Sequence, residues 1–203
     1  MKSTLLRLLP ALLLSQAASA QQLHFGAKAG ANYSDSYQRN VAPESTTAIF
    51  GYSLGALSRY SFGQDKFWNI QVELLYSRKG DDYQYPGQRP GGQRRLSYLE
   101  LPVLAKINVQ RIGFEAGPQL GYLVAARFTN PITGVGTTRD LQGLRRLLLG
   151  YVAGAGYELP SGYSFTLRYN GDFLPITQGG GFFQSPAHSV FQAQLGYLLS
   201  KRE

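Results

Sequence analysis

Eight times between residues 23 and 199 the chain alternates apolar and polar residues with a period of two, and nowhere does it show a helical period. Such a pattern confines it to β-strands with two unlike faces. The alternating segments are Leu23–Ser34, Ile49–Phe62, Phe67–Arg78, Leu96–Val109, Arg111–Arg127, Leu147–Leu159, Tyr163–Phe173 and Ser189–Leu199. Most reach the ~9–11 residues that a tilted strand needs to cross a bilayer. The connections alternate as well. Gly63–Lys66, a tight turn near Gln110 and Pro160-Ser161-Gly162 are short, whereas Asp35–Ala48, Lys79–Arg95, Phe128–Arg146 and Leu174–His188 are long. Short turns at one end and long loops at the other are the habit of transmembrane barrels, with the turns in the periplasm. The expectation is an all-β chain: an eight-stranded antiparallel up-and-down transmembrane β-barrel with both termini periplasmic.

The composition of the two faces decides which one meets lipid. In the third segment Trp68, Ile70, Val72, Leu74 and Tyr76 oppose Asn69, Gln71, Glu73, Leu75 and Ser77. In the fifth, Ile112, Phe114, Ala116, Pro118, Leu120 and Tyr122 oppose Gly113, Glu115, Gly117, Gln119 and Gly121. An eight-stranded interior is only just wide enough to be filled by side chains. The bulky face would overfill it, so that face must turn outward, and glycine on the other face leaves room for long polar groups. This orientation encloses Lys28, Arg59, Glu73, Glu100, Lys106, Glu115, Glu158 and Arg168. Buried charges persist only when paired and hydrogen-bonded. The eight are therefore expected to form a salt-bridge network that plugs the lumen. The alternative is a small ion or proton path.

Tyr33, Tyr60, Trp68, Tyr76, Tyr157, Tyr163, Tyr169 and Tyr197 fall toward segment ends, as in the aromatic belts of membrane proteins. The first twenty residues read as an export signal, and residues 21–203 as one barrel domain. Lys2 and Arg7 are its basic end, Leu8–Leu14 its apolar stretch and Ala18-Ser19-Ala20 its cleavage site, so that the mature chain starts at Gln21. An exported chain without cysteine has no disulfide, thiolate metal site or cysteine nucleophile. No metal-ligand spacing or phosphate-binding glycine loop is present, and no cofactor is expected.

The net charge of +8 falls to +6 once Lys2 and Arg7 are removed. Much of it lies at the long connections, in Arg78, Lys79, Arg89, Arg94, Arg95, Arg127, Arg139, Arg145 and Arg146. Arginine forks bind phosphate bidentately, and the outer leaflet of a Gram-negative cell displays phosphorylated glycolipid. Contact with outer-membrane lipid and lipopolysaccharide is the expected use, with solvated loop charge as the alternative. Nucleic acid is not an expected partner for loops outside the cell.

Two patterns could carry catalysis. Gly51-Tyr52-Ser53-Leu54-Gly55 matches a nucleophile elbow, but that motif needs a sharp strand-to-helix turn and here lies inside an alternating segment. The histidines are His24 and His188. With Ser189 and Asp172, His188 could mimic the rim triad of a lipid A acyl hydrolase or transferase. Neighbouring strand residues point to opposite faces, however, so a loop or capping role is expected for His188.

Four stretches carry a family resemblance: residues 25–34 (FGAKAGANYS), 98–106 (YLELPVLAK), 117–123 (GPQLGYL) and 152–159 (VAGAGYEL). Together they span nearly the whole mature chain, and in order and spacing they resemble the PorT-like outer-membrane β-barrel family of Gram-negative bacteria. The resemblance implies an outer-membrane barrel without catalysis. Some members are linked to secretion, a role not carried over here. Residues 194–199 (QLGYLL) resemble the last-strand signal read by the barrel-assembly machinery, although Ser200–Glu203 follow without a terminal aromatic. The sequence thus reads as a non-enzymatic barrel, structural, adhesive or accessory to an envelope machine. A lipid-modifying enzyme and a small pore are its rivals.

Overall fold

The computed structural model describes residues 23–37, 45–63, 65–84, 92–129, 141–177 and 187–199. They form eight antiparallel strands: β1 (Leu23–Tyr37), β2 (Ser45–Phe62), β3 (Trp68–Gln84), β4 (Gly92–Val109), β5 (Ile112–Thr129), β6 (Leu147–Glu158), β7 (Tyr163–Asp172) and β8 (Ala187–Leu199). Each pairs with its neighbours in sequence, and β1 pairs with β8 from Phe25↔Leu199 to Tyr37↔Ala187, closing the barrel. Closure removes every sheet edge, which lets a sheet sit in a medium that offers its backbone no hydrogen bonds. The eight-stranded up-and-down barrel expected from the alternation is the fold observed.

Apolar side chains face outward all round the wall. Phe50, Leu74, Leu147, Leu167, Phe191, Leu195 and Leu199 are more than half exposed, while Gln71, Glu73, Ser77 and Asn32 are sealed inside. Aromatic residues cluster at two levels of the outer surface. Toward the long-connection end, Tyr33 packs on Phe50, Tyr52 on Tyr76, and Tyr169 on both Tyr151 and Phe191. Toward the end with the short turns, Tyr60 packs on Phe62, Phe67 on Trp68, and Tyr163 on Tyr197. Trp68 and Tyr76 mark the two levels on β3. They are eight residues apart, or about 26 Å along a strand at ~3.3 Å per residue.

Glycine does more here than make room. A Cβ on Gly55 would lie 2.0 Å from the Leu74 carbonyl oxygen, and one on Gly117 2.0 Å from that of Val103. At these points the neighbouring backbone passes so closely that any side chain would collide with it. At Gly113 the obstacle is the Lys106 side chain, 2.7 Å away, which is the space-making role expected from the sequence.

The strands outrun the alternation that betrays them. β3 continues past Arg78 to Gln84 and β4 starts at Gly92 rather than Leu96, with Gly80↔Arg95 and Asp81↔Arg94 still paired. The connection between them is accordingly much shorter than Lys79–Arg95. Beyond the hydrocarbon an outward position need not be apolar, so alternation of hydropathy fades while the hydrogen-bonded ladder goes on. One register shift, between Ser97 and Tyr98 of β4, is absorbed on β5, where Val124 and Ala125 both face outward. Such a bulge reverses the facing of every later residue in its strand.

Candidate functional site

The lumen holds a closed circuit of ion pairs and hydrogen bonds. Glu73 accepts from Arg168 Nη1 and Nη2 (2.7 and 2.6 Å), and Arg168 Nε donates to Glu115. Glu115 faces Lys106 Nζ at 3.7 Å, and Lys106 donates to Glu158. Glu158 takes both amino groups of Arg59 (2.9 and 2.7 Å). Arg59 Nε donates to Gln71 Oε1 at 2.8 Å, and Gln71 returns a hydrogen bond to Glu73. Lys28 adds a further bond to Glu73 at 2.9 Å. The circuit draws on every strand from β1 to β7. Its arginines are geometrically suited to it, since each guanidinium presents several donors in one plane. All its charged groups but the half-open end at Glu158 are nearly fully enclosed, with side-chain exposures of 5 % or less.

Glu100 lies apart from the circuit. Its partners are Lys79 and Gln119 Nε2 (3.0 Å). Lys79 was expected at the surface of a loop, and the structure corrects this: it is a β3 residue on the inner face, 2 % exposed, ion-paired with Glu100 and 5.7 Å from the Tyr98 ring centre. Arg94 also turns to the inner face, where it forks onto Asp81 (2.7 and 2.6 Å). Both corrections have the same cause, the strand extension past Arg78 with its inside-outside order intact.

A second layer, unforeseen from the sequence, packs inside the barrel near the long-connection end. Leu96, Tyr98, Leu123, Ala126 and Leu148 point inward from the wall, and Leu144 and Ile176 fold in from the segments flanking β6 and β7. The backbone knits this lid together. Arg145 N donates to the Ile176 carbonyl and Leu123 N to that of Arg146, both at 2.7 Å. His188 lies beneath it, 1 % exposed, with its ring edge-on to Tyr98 and its Nε2 3.2 Å from the Tyr98 hydroxyl. Leu96, Leu148 and Tyr98 do occupy inward positions in the alternation, but two-fold periodicity alone does not tell an apolar lid from a lipid-facing stripe.

The catalytic patterns come apart in three dimensions. Ser189 Oγ donates to the Tyr169 hydroxyl on the opposite side of the wall from His188. Ser53 sits within β2, 2 % exposed, and receives a hydrogen bond from Gln194 Nε2 at 3.3 Å. Among the described residues no group of three or more metal-ligating side chains is gathered together.

The remaining arginines divide by place. Arg78, Arg95 and Arg127 face outward on β3, β4 and β5 and border one groove of about 400 Å³. Arg145 Nε donates to the Pro175 carbonyl at 3.2 Å, and Arg146 is exposed. Arg89 and Arg139 lie outside the described residues.

An apolar belt between two aromatic levels, ions enclosed within and no free sheet edge together define a transmembrane β-barrel of the Gram-negative outer membrane. A family model described as "Outer membrane protein beta-barrel domain" matches residues 15–176, and the chain belongs to that family. The fold is similar to that of Neisserial surface protein A, at 12% identity and a TM-score of 0.58 over 85% of this chain and 96% of that one. It is also similar to Ail of Yersinia pestis, solved in complex with the heparin analogue sucrose octasulfate, at 14% identity and a TM-score of 0.51 over 88% and 99%. No curated protein sequence matches the chain.

Proposed function

We propose that this chain is a non-enzymatic, plugged barrel that serves the outer membrane structurally, as an adhesin or as an accessory to an envelope machine, and that its basic long-connection end faces outward and touches lipopolysaccharide. The observation that carries the reading is the lumen circuit around Glu73 and Arg168, whose side chains are 0 % and 1 % exposed. A transport path would need mobile water where these groups are locked to one another. Planar-bilayer recording of the purified full chain checks this: only baseline current is expected, and stable openings of porin size would overturn it.

Lipid-modifying chemistry needs a nucleophile and a base within reach of each other and of lipid. His188 is sealed under the apolar lid, and Ser189 faces away from it. Cells expressing the chain should show an unaltered lipid A profile, and a new acylation state lost on His188→Ala would reverse this reading. Export by cleavage after Ala20, periplasmic termini, insertion by the barrel-assembly machinery and placement in the PorT-like branch complete the proposal. They rest on the signal pattern, the loop-length alternation and the four resembling stretches. Ail's sulfated ligand is a precedent for anion binding on this fold, although the likeness between the two chains is one of fold.

A further inference from the structure

The outward arginines of β3, β4 and β5 form a site of their own, distinct from the charges that plug the lumen. Arg95 and Arg127 are direct cross-strand partners, and Arg78 lies opposite Ser97, two residues along β4 from Arg95. Like charges directly opposite each other destabilise a strand pair, so their juxtaposition opposes folding unless an anion lies between them. Among the described residues the guanidinium groups of Arg78 and Arg127 have no carboxylate partner, and Arg95 has Asp82 only at 3.9 Å. This differs sharply from the inner wall, where Arg59, Arg94 and Arg168 are each bound to carboxylates at hydrogen-bond distance.

The β5 bulge is what brings Arg127 to this face. From Gly113 to Leu123 the odd-numbered residues of β5 point inward, and an unbroken strand would turn Arg127 inward with them. With Val124 and Ala125 both outward, Arg127 emerges on the outer surface beside Arg95. Bulges commonly re-aim a side chain in this way. The groove so made is two-toned. Arg78, Arg95 and Arg127 line it with Ser97, while Tyr76, Val124, Ala125 and Leu141 supply an apolar part. Tyr76 belongs to the aromatic level nearer the long connections, which puts the arginines at the height where a lipid headgroup meets water.

We infer that this groove binds the phosphate of a phosphorylated glycolipid of the surrounding leaflet, with Arg78, Arg95 and Arg127 on the phosphate and the apolar part against the head of the acyl chains. The inference rests on the proposed outward orientation of this end, and it narrows the lipopolysaccharide contact to three arginines. Lys79 and Arg94 are excluded, being committed to partners inside.

The experiment is binding of purified full chain in neutral-lipid nanodiscs to bisphosphorylated lipid A, against the same lipid stripped of phosphate, with heat-modifiable mobility as the check on folding. The triple variant Arg78→Gln/Arg95→Gln/Arg127→Gln should remain folded and bind bisphosphorylated lipid A at least about tenfold more weakly, from the loss of charge-assisted hydrogen bonds. Arg145→Gln/Arg146→Gln, at the same end but off the groove, should bind as the unaltered chain does. Arg127→Lys should retain part of the affinity, and inorganic phosphate at matched ionic strength should not compete. Equal binding by the triple variant and the unaltered chain would overturn the groove while leaving lipopolysaccharide contact elsewhere intact. Equal binding of lipid A with and without its phosphates would overturn the groove and the wider contact together. Loss of binding by Arg145→Gln/Arg146→Gln equal to that of the triple variant would reduce the site to diffuse charge and overturn it too.

Discussion

The two halves of the lumen are filled in different proportions of charge and apolar bulk. Near the short turns the interior is held by charge, with Glu73, Arg168, Glu115, Lys106, Glu158 and Arg59 joined in a circuit around the barrel axis. Near the long connections two ion pairs, Lys79–Glu100 and Arg94–Asp81, share the interior with a small apolar core of Leu96, Leu123, Leu148 and Ile176 of the kind found in a water-soluble protein. The difference follows from where the side chains originate. Deep in the bilayer the interior is furnished by strands alone, and long ionic side chains can bridge the axis from opposite walls. At the far end the segments flanking β6 and β7 fold back, so Leu144 and Ile176 can fill the mouth directly.

Substitutions can break or sharpen this contrast. The largest effect is expected in the circuit. Glu73→Ala leaves Lys28 buried without its hydrogen-bonded carboxylate and Arg168 with Glu115 alone, and should cost about 3–5 kcal/mol, the penalty of an uncompensated buried charge. Urea unfolding in lipid vesicles, followed by tryptophan fluorescence from Trp68, measures it, and a loss similar to that of a surface substitution would refute the circuit's role. Leu123→Ala, at the base of the lid, should cost roughly 2–3 kcal/mol by the same assay, at the low end of buried leucine truncations because nearby segments can settle into the space. The smallest effect is expected from Tyr98→Phe, which removes only the hydroxyl 3.2 Å from His188 Nε2. It should cost about 1 kcal/mol, and a loss as large as that of Glu73→Ala would show that the lid is governed by polar bonds after all.

The wall was easy to read from the sequence, because a bilayer allows only one arrangement of its alternating faces. The sides taken by Glu73, Arg168 and Leu74 follow from residue type and parity. What escaped reading lies where that constraint lapses. Lys79 and Arg94 continue the inward parity of β3 and β4, but past Arg78 the outward residues are no longer apolar and nothing in the hydropathy marks the strand. The β5 bulge escaped for a different reason: Val124-Ala125 looks the same whether both residues face outward or they alternate, and only the pairing of Ser97 and Tyr98 with the next strand settles it. The lid was hidden because Leu144 and Ile176 lie in segments whose folding depends on contacts far away along the chain.

The circuit also bears on how such a barrel comes into being. Its bonds run Arg59 to Glu158, Glu73 to Arg168 and Glu115 to Arg168, so Arg59 meets its carboxylate only with β6, and Glu73 and Glu115, already faced by Lys28 and Lys106, gain Arg168 only with β7. A curl of four or five strands would leave the Arg59 guanidinium without its carboxylate on the concave side, disfavoured against hydrocarbon until the cylinder seals. Insertion and sealing should therefore advance as one concerted event, with electroneutrality along the axis acting as the latch.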